Sequence, residues 1–337
     1  MLLCNDPSRG FIIAYCKKCN KEFVTHLSCN SRICTRCGTK YLKQWIERVV
    51  ERMYSVDYSH IVFTMPMVLW KLIEGNWKCI SELYRLPFDI LRKTMSERAH
   101  QAIKPGVIAA GHTFGKDLKF NVHFHTVCTD GGFTRSGLWK SAYFLPYRLL
   151  MMRWRDAVLG IIRKHCGSDM HAQIILAAMY HDYPHGFRVW RIKGRMAKKE
   201  LVRYIARYIR HPAIADRRIV KYERTNVTID CKDTQRMISW HETFSVDEFI
   251  GRLVKHIPPK GFPVVRQYGL YAKKVYVQRK VKQDKQETIF PTHGAKQHLK
   301  CPVCGGMAEI VFSYFAKRGG KPPPDGVFGV KITDWVS

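Results

Sequence analysis

Apolar and polar positions alternate most regularly between residues 106 and 129. The segments 106–114 (GVIAAGHTF) and 120–129 (FNVHFHTVCT) are rich in β-branched and aromatic residues and are separated by the short link 115–118. A period of two is typical of half-buried strands, and a short glycine-containing link is typical of a hairpin. The pattern therefore predicts two antiparallel strands joined by a tight turn.

The second strand of this hairpin has an apolar face and a polar face, because successive side chains of a strand point to opposite sides. The faces carry Phe120, Val122 and Phe124 on one side and Asn121, His123 and His125 on the other. Histidines at alternate strand positions lie about 7 Å apart along the chain, so their rings can converge on one cation. His123 and His125 are therefore candidate metal ligands.

A third ligand is available on the first strand of the hairpin. If the chain turns at residues 115–118, His112 pairs across to Asn121 or His123, and directly opposite residues of an antiparallel pair share a face. A shift of one residue in the register would turn His112 to the other face. His112 is thus the candidate third ligand, and its orientation depends on the turn.

Helical periodicity and further apolar runs surround the hairpin. The pattern predicts helices at 41–54, 68–102, 145–165, 197–209 and 246–256, and further strands at 60–65, 172–179, 187–192 and, as a pair, 219–229. These elements predict an α+β fold in which helices pack on a central antiparallel sheet that carries His123 and His125.

The helix predicted at 197–209 has an unusual border between its apolar and basic faces. Leu201, Val202, Ile205 and Ile209 form the apolar stripe, and Arg203, Arg207 and Arg210 lie on the opposite side. Tyr204 and Tyr208, four residues apart, lie together at the border. Each tyrosine can anchor its ring in the core and expose its hydroxyl beside basic side chains.

The cysteine spacing predicts a structural zinc site near the N-terminus. Two CxxC pairs, Cys16 with Cys19 and Cys34 with Cys37, are separated by fourteen residues, and two such turns give a tetrahedral set of thiolates. Cys29 is an alternate ligand, and Cys4 and His26 are weaker reserves.

A second, incomplete metal pattern lies in THGAKQHLKCPVCGG. Cys301 and Cys304 resemble half of a zinc ribbon, so His293 and His298 would complete the site, or a distant thiol such as Cys4 would do so. The cysteines that stand alone are expected to be reduced and buried: Cys79, Cys128, Cys166 and Cys231.

Composition adds a partner class. The chain has 337 residues, 46% of them hydrophobic, and its 57 Lys+Arg exceed 27 Asp+Glu to give a net charge of +30. This composition argues against intrinsic disorder, and the charge favours a polyanion as partner, most often a nucleic acid. The longest apolar stretch, residues 61–70, is too short to span a membrane. The N-terminus MLLCNDPSRG shows no secretory signal, which predicts a cytoplasmic or nucleoid-associated protein with no membrane partner.

Basic residues concentrate around the tyrosine helix. Residues 187–224 contain thirteen Lys+Arg against three acids, and residues 252–285 contain ten against one, interleaved with tyrosines. Cations that follow a backbone, together with rings on which bases stack, favour single-stranded DNA. The candidate DNA contacts are Lys193, Arg203, Arg207, Arg210, Arg217, Arg218, Arg266, Lys273 and Lys274.

The histidine and tyrosine motifs together predict a reaction. A histidine-bound divalent cation polarises a phosphodiester, and a tyrosine hydroxyl attacks phosphorus to give a covalent phosphotyrosine. Lys193 and the arginines of the tyrosine helix would hold phosphate oxygens and help to lower the phenol pKa.

Several motifs in one order carry a family resemblance across residues 15–310. They are SCNSRICTRCG, HTFGKDLKFNVHFHTVCTDGGF, YIARYIRHPAIADRRI, VDEFIGRLVKHIPPKGFPVVRQYGLYA and CPVCGG. The sequence resembles the rolling-circle insertion-sequence transposases of the IS91 family, two-tyrosine members of the HUH (His-hydrophobe-His) endonuclease superfamily. His123 and His125 match the metal pair, Tyr204 and Tyr208 match the nucleophiles, and the N-terminal cysteine block matches a zinc-binding region.

The resemblance implies an HUH core and single-stranded cleavage that leaves a 5′-phosphotyrosine and a free 3′-hydroxyl, with Mg²⁺ or Mn²⁺. Its partners would be single-stranded DNA, transposon ends and target DNA. Some relatives take a third metal ligand from the tyrosine helix. Pro212, one turn beyond Tyr208, cannot serve, whereas Glu200 stays open beside His112.

The predicted organisation has four parts: an N-terminal zinc-binding module at 1–45, an HUH nuclease domain with a helical lead-in at 46–215, a basic DNA-binding extension at 216–285, and a C-terminal CxxC knuckle and tail at 286–337. The predicted function is a DNA-nicking and strand-transferring transposase. Two alternatives are a non-catalytic zinc-dependent nucleic-acid-binding protein, and a replication initiator or relaxase with the same chemistry.

Overall fold

Both ends of the chain belong to one folding unit, and the middle belongs to another. In a computed structural model, residues 1–40 and 286–337 form the first unit, called the terminal unit below, and residues 41–285 form the second, called the central unit. The structure describes the following residues: 4, 6–29, 34, 37, 49, 51–196, 201, 213–233, 237–272 and 299–315.

The described residues form both β-strands and α-helices, which are intermixed along the chain. The strands are β1 (Gly10–Cys16), β2 (Lys21–His26), β3 (Tyr58–Thr64), β4 (Lys104–Phe114), β5 (Phe120–Phe133), β6 (Trp139–Ser141), β7 (Val189–Met196), β8 (Ile219–Tyr222), β9 (Asn226–Asp233), β10 (Ile238–Ser245), β11 (Val265–Gly269), β12 (Leu299–Lys300) and β13 (Met307–Phe315). The helices are α1 (Met67–Ile73), α2 (Trp77–Leu83), α3 (Leu86–Arg98), α4 (Tyr147–Cys166), α5 (Met170–Asp182) and α6 (Val246–Val254).

The main sheet of the central unit is antiparallel, in the order β11-β4-β5-β3-β7, and β6 pairs with β5. Its middle strand, β5, is therefore flanked on both sides. The β4–β5 hairpin contains the two strands predicted from the alternating pattern. The α+β class and the central antiparallel sheet predicted from the sequence are confirmed.

One face of this sheet is covered by helices. Phe63 of β3 lies opposite Phe124 of β5, and both are fully buried in a cluster with side chains of α1 to α5. The ring of Trp154 on α4 meets both phenylalanines edge to face, at centroid distances of 5.2 Å and 5.8 Å. Such contacts contribute beyond the apolar area they bury, so this face fixes the position of β5.

The opposite face of the sheet, which carries the histidines, has a second buried cluster. Its members are Val49, Met53, Tyr58, Ile108, Ala110, Val127, Met196, Leu201 and Tyr271. The hydroxyl groups of Tyr58 and Tyr271 lie 2.6 Å apart, and that of Tyr58 also donates to the carbonyl of Tyr54 at 2.9 Å. Leu201, a helical residue that is fully buried, therefore lies on the histidine face.

A small second sheet, in the order β10-β9-β8, packs in the same unit. Its core includes Ile229 of β9, Phe244 of β10 and Phe249 of α6, together with Leu118 from the β4–β5 turn. Because Leu118 is buried there, the small sheet and α6 hold the turn of the histidine hairpin.

The sheet of the terminal unit joins the two ends of the chain, in the order β12-β13-β1-β2. Strand β1 pairs antiparallel with β13, so that Tyr15 lies opposite Glu309. Lys17, just after β1, forms an ion pair with Glu309 at 2.8 Å. Residues almost 300 positions apart thus share one sheet.

One predicted element is wrong. Residues 172–179, predicted as a strand, form part of helix α5. Its buried residues Ala172, Leu176 and Met179 recur at helical spacing, and the side chain of Asp169 caps the helix by accepting from the backbone of His171. A short apolar run is ambiguous between helix and strand, and here the cap and the helical spacing decide.

The helical region predicted at 68–102 forms three helices. Gly75, with a φ of +78°, ends α1, and a left-handed conformation is one that glycine adopts readily. The helix predicted at 41–54 lies largely outside the described residues, and so does the one at 197–209, apart from Leu201.

The predicted division into four parts differs from the two units. The 286–337 segment shares a unit with the N-terminal residues, and the 216–285 segment shares one with the nuclease region. Strand β11 shows the reason for the second difference, because it pairs with β4 as an edge of the main sheet. Within the part of the chain that the structure describes, no helix is both long and apolar enough to cross a membrane.

Candidate active site and cysteine clusters

His112, His123 and His125 come together on the main sheet. His112 lies directly opposite His123 across the hairpin, and His125 lies opposite Ala110. The three ring centroids are 4.8–5.2 Å apart, and one ligand nitrogen from each ring lies within 4.8 Å of the others. The pairing of His112 with His123 predicted from the turn is confirmed.

Two contacts orient the paired histidines. The Nδ1 atom of His123 lies 3.1 Å from the carbonyl oxygen of Asn121, and Nδ1 of His125 lies 3.0 Å from Nε2 of His60. An Nδ1 held in this way is typical of histidines that ligate a metal through Nε2, because it fixes the ring and its tautomer. The geometry therefore fits a three-imidazole metal site.

Most of the cluster is shielded from solvent, and His123 is half-buried. His112 and His125 are each 8% exposed and His60 is 1% exposed. Burial lowers the pKa of His123 and that of His60 to about 4, and burial together with the rings of His112 and His123 holds the pKa of His125 well below its usual range. These imidazoles are therefore neutral near pH 7, which is the form that ligates a metal.

His60 was not foreseen as part of this site. The sequence places it in a strand, and the strand register of β3 puts it opposite Val127, two residues beyond His125 on the same face. An isolated histidine in an apolar strand gives no signal of such a role. Only the pairing of β3 with β5 reveals it.

Side chains from later in the sequence form hydrogen bonds to the backbone of the hairpin turn. Backbone carbonyl oxygens of Lys116, Asp117 and Leu118 accept hydrogen bonds from Arg218, Arg252 and His256, respectively. Because the turn determines the register of β4 against β5, these contacts act indirectly on the orientation of His112.

The candidate nucleophiles Tyr204 and Tyr208 lie outside the described residues, as does Glu200, the alternative third ligand. The same holds for the candidate DNA contacts Arg203, Arg207, Arg210, Lys273 and Lys274, and for the side chain of Lys193. The nearest described residue before the tyrosines is Leu201, buried in one cluster with Ala110 and Val127 on the histidine face.

Two of the arginines predicted to contact DNA are engaged within the protein. Arg218 donates from Nε to the carbonyl of Asp230 at 2.9 Å, in addition to its bond to the turn. Arg266 donates to the backbone and side-chain oxygens of Ser81 at 2.9 Å and 2.7 Å, and its guanidinium lies 4.6 Å from the ring centroid of Tyr84. Their contacts indicate a structural role, whereas Arg217 is exposed.

Among its described residues, the terminal unit contains two four-cysteine clusters. Cys4, Cys29, Cys34 and Cys37 form one, and Cys16, Cys19, Cys301 and Cys304 form the other, and the sulfur atoms of each lie within 4.8 Å of one another. In the first, hydrogen bonds lower the pKa of a thiol against the effect of burial: Cys4, which accepts from the backbone of Cys29, has a pKa of about 7. In the second, backbone N–H groups of the knuckle turn lower the pKa of Cys301 to about 6.

These clusters correct the grouping expected from the sequence. The two CxxC pairs near the N-terminus do not share one site, because Cys16 and Cys19 lie beside Cys301 and Cys304, at 3.5 Å between paired sulfur atoms. Cys34 and Cys37 instead join Cys29, the predicted alternate, and Cys4, the predicted reserve. The pairing of β1 with β13 explains the difference, because it brings the C-terminal pair to the first N-terminal pair.

The predicted histidine ligands of the C-terminal pair are not tested by this arrangement. His293 and His298 lie outside the described residues. His26 lies on β2, and among the described residues neither cysteine cluster includes it.

Comparison with known families and proteins gives consistent matches. The family described as "Putative transposase" matches residues 106–279, and the one described as "Transposase zinc-binding domain", of the IS91 type, matches residues 1–65. The chain is 29% identical to "Transposase for insertion sequence element IS801" of Pseudomonas savastanoi pv. phaseolicola, over 93% of this chain and 82% of that protein. It is 28% identical to "Putative transposase y4qJ" of Sinorhizobium fredii (strain NBRC 101917 / NGR234), over 95% of this chain and 89% of that protein. No solved structure matches significantly.

Proposed function

We propose that this chain, which belongs to the IS91 family of transposases, nicks and rejoins single-stranded DNA through a covalent phosphotyrosine. One observation carries the proposal. The three-histidine cluster lies on the sheet face on which Leu201 is buried, and Leu201 precedes Tyr204 by three residues and Tyr208 by seven. A candidate metal site, with two tyrosines that follow closely in sequence on a residue buried at the same sheet face, supports an HUH endonuclease core.

The donor set favours a divalent transition metal. Three neutral imidazoles suit first-row transition ions, whereas Mg²⁺ prefers oxygen ligands, so of the two cations expected for this family Mn²⁺ fits His112, His123 and His125 better. A cation bound there would polarise the scissile phosphodiester and stabilise charge on its oxygens. The three histidines would hold this cation, and the apolar face behind them keeps their strand fixed.

The tyrosines supply the nucleophile. The hydroxyl oxygen of Tyr204 or Tyr208 bonds to phosphorus while the bond from phosphorus to the 3′-oxygen breaks, and the phenol proton is lost as the 3′-oxygen gains one. The products are a 5′-phosphotyrosine and a free 3′-hydroxyl. Two nucleophiles allow the enzyme to hold two strand ends at once, which suits strand transfer between transposon ends and target DNA.

Basic residues near the tyrosines would bind the DNA backbone. Lys193 and the arginines at 203, 207 and 210 are close in sequence to the nucleophiles, and Arg217 is exposed in the segment that follows. Contacts to phosphates position a strand without reading its sequence. A protein with this activity would act on the prokaryotic nucleoid in the cytoplasm.

The test is a covalent adduct on denaturing gels. The full-length protein is incubated with Mn²⁺ and labelled single-stranded oligonucleotides that tile both ends of its own element. The wild-type chain is expected to form a covalent adduct, each single variant (Tyr204→Phe, Tyr208→Phe) to keep part of it, and the double variant to form none. Tyr222→Phe, at an exposed tyrosine of β8, is the matched control and should retain the full amount.

Metal dependence is tested in the same assay. His112→Ala should reduce both adduct yield and Mn²⁺ binding, whereas His171→Ala, at an exposed histidine on α5, should change neither. An adduct that persists in the double tyrosine variant would refute the phosphotyrosine. Tight DNA binding with no adduct on any oligonucleotide would instead indicate a non-catalytic DNA-binding protein.

A further inference from the structure

The cluster of Cys16, Cys19, Cys301 and Cys304 draws its ligands from opposite ends of the chain. Cys16 lies 3.5 Å from Cys304 and Cys19 lies 3.5 Å from Cys301, measured between sulfur atoms. The match to a transposase zinc-binding domain ends at residue 65, so it contains only half of this cluster. The other half lies in the CPVCGG turn, beyond residue 279, where the second family match ends.

The sulfur spacing is that of a metal site. Four thiolates at about 2.3 Å from a tetrahedral Zn²⁺ lie about 3.8 Å from one another. Two sulfur–sulfur distances in this cluster are 3.5 Å, and all of them are within 4.8 Å. A disulfide would need about 2.05 Å, and none of these four cysteines is joined to another in this way. All-thiolate tetrahedra select zinc among common structural metals.

The backbone around the cluster is built as two opposing turns. Residues 17–20 turn after β1, and residues 301–306 turn after β12, where the backbone N–H of Cys301 donates to the carbonyl of Gly306 at 2.8 Å. Gly305 has a φ of +68°, a conformation that favours glycine. The pairing of β1 with β13 and the ion pair of Lys17 with Glu309 hold the two turns face to face.

We propose that Cys16, Cys19, Cys301 and Cys304 bind one structural Zn²⁺ that joins the two ends of the chain, separate from a second Zn²⁺ held by Cys4, Cys29, Cys34 and Cys37. The two sites are closed and independent, because each has four sulfur ligands of its own. Apart from the cysteines, the described residues that are buried and apolar at the shared site are Ala14 and Ala308, and Phe23 and Leu299 pack against them half-buried. A core of that size folds stably with the help of a metal.

Native mass spectrometry of full-length protein that carries His112→Ala and His123→Ala, so that the histidine cluster takes up no zinc, separates this grouping from the alternative. This parent chain should carry two zinc ions, and addition of Cys16→Ser/Cys19→Ser or of Cys301→Ser/Cys304→Ser should leave one. The decisive variants combine two pairs. Combining these two pairs should still leave one zinc ion, whereas combining Cys16→Ser/Cys19→Ser with Cys34→Ser/Cys37→Ser should leave none.

The opposite pattern would overturn the proposal. If the two N-terminal CxxC pairs shared a site and the C-terminal pair had another, the first combination would leave no zinc and the second would leave one. Cys166→Ser/Cys231→Ser is the matched control and should keep two ions, because these cysteines lie in the central unit and outside both clusters.

A measurement on the unaltered chain covers variants that fail to fold. Wild-type protein is titrated with a zinc chelator, and alkylation of each cysteine is followed by peptide mass spectrometry. Cys16, Cys19, Cys301 and Cys304 should become reactive together, at one chelator concentration. Alkylation of Cys301 and Cys304 while Cys16 and Cys19 stay protected would refute the shared site. Neither readout depends on DNA cleavage, so this proposal and the proposed function can fail separately.

Discussion

Nε2 of His60 contacts Nδ1 of His125, just as the carbonyl oxygen of Asn121 contacts Nδ1 of His123. Each of these contacts leaves Nε2 of the contacted ring available to a metal. Outer contacts of this kind orient metal ligands, and their loss typically weakens metal affinity about 10- to 100-fold. We therefore propose that His60 is a positioning residue, which would act on a bound cation only through His125.

Replacing His60 should weaken metal binding without removing a ligand. His60→Ala is expected to lower Mn²⁺ affinity about 10- to 100-fold, because the His125 ring loses its orientation. His60→Gln, whose amide nitrogen occupies nearly the position of Nε2, should restore most of it. Isothermal titration with Mn²⁺, on protein whose zinc content has been adjusted to the two cysteine clusters alone, measures both.

The thermal unfolding of the two His60 variants is the control, because a merely structural role would change stability without separating alanine from glutamine in Mn²⁺ affinity. Equal affinities for wild type and His60→Ala would show that His125 is oriented by other contacts.

At single-residue scale, the sequence predicted some of this site and missed the rest. His112, His123 and His125 could be found because alternation and a short turn fix which residues share a face. His60 and the partners of Cys16 could not, because both depend on strand pairings between distant parts of the chain. The pairing of β3 with β5 and that of β13 with β1 have no recognisable pattern in the local sequence.

At the scale of elements, strand β5 is held by aromatic packing on its apolar face. The ring of Phe124, on the face away from the histidines, lies 5.1 Å from Tyr84 and 5.8 Å from Trp154 between centroids. Gly111, opposite Phe124 in β4, leaves room for the Tyr84 ring, since a Cβ there would lie 2.5 Å from it. Packing behind the strand thus holds the histidines in front of it.

Phe124→Ala should destabilise the central unit by about 3–5 kcal/mol, because it leaves a cavity in a close-packed core. Urea denaturation followed by tryptophan fluorescence reports this change, since Trp154 is in the same cluster. Phe144→Ala, at a phenylalanine that is 73% exposed, should change stability by no more than about 0.5 kcal/mol. A loss below about 1 kcal/mol for Phe124→Ala would mean that the neighbouring rings refill the space.

Elements with a clear period were predicted well, and ambiguous ones were not. The hairpin, α4 and α6 were confirmed, because alternation or helical spacing runs through each of them. The segment at 172–179 was mistaken because an apolar run of that length fits either structure. Its cap at Asp169 was the available signal.

At the scale of the whole molecule, the net charge of +30 has a consequence for DNA binding. Cations that neutralise phosphates release counterions, so affinity falls steeply with salt. The contacts of Arg218 and Arg266 show that part of this charge is structural. We therefore expect the charge that binds DNA to come from exposed cations such as Arg217.

Binding of an oligothymidine to the zinc-loaded chain, without added Mn²⁺, should weaken strongly with salt. For about six phosphate contacts, the logarithm of affinity should fall with a slope near −4 against the logarithm of NaCl concentration, or about 300-fold between 50 and 200 mM. Fluorescence anisotropy gives the slope. Arg217→Ala should reduce its magnitude by about 1, whereas Arg266→Ala should leave it unchanged. Equal effects of the two variants would contradict the distinction between them.

The pairing of Cys16 and Cys19 with Cys304 and Cys301 also affects when the terminal unit can fold during synthesis. The partners are separated by 288 and 282 residues, which a ribosome translating about 5–20 residues per second needs about 14 to 58 s to cover. During that interval the first strand of the chain has neither β13 nor its second pair of thiols. The central unit can fold during this interval, whereas β1 can complete its sheet only after β13 has been synthesised.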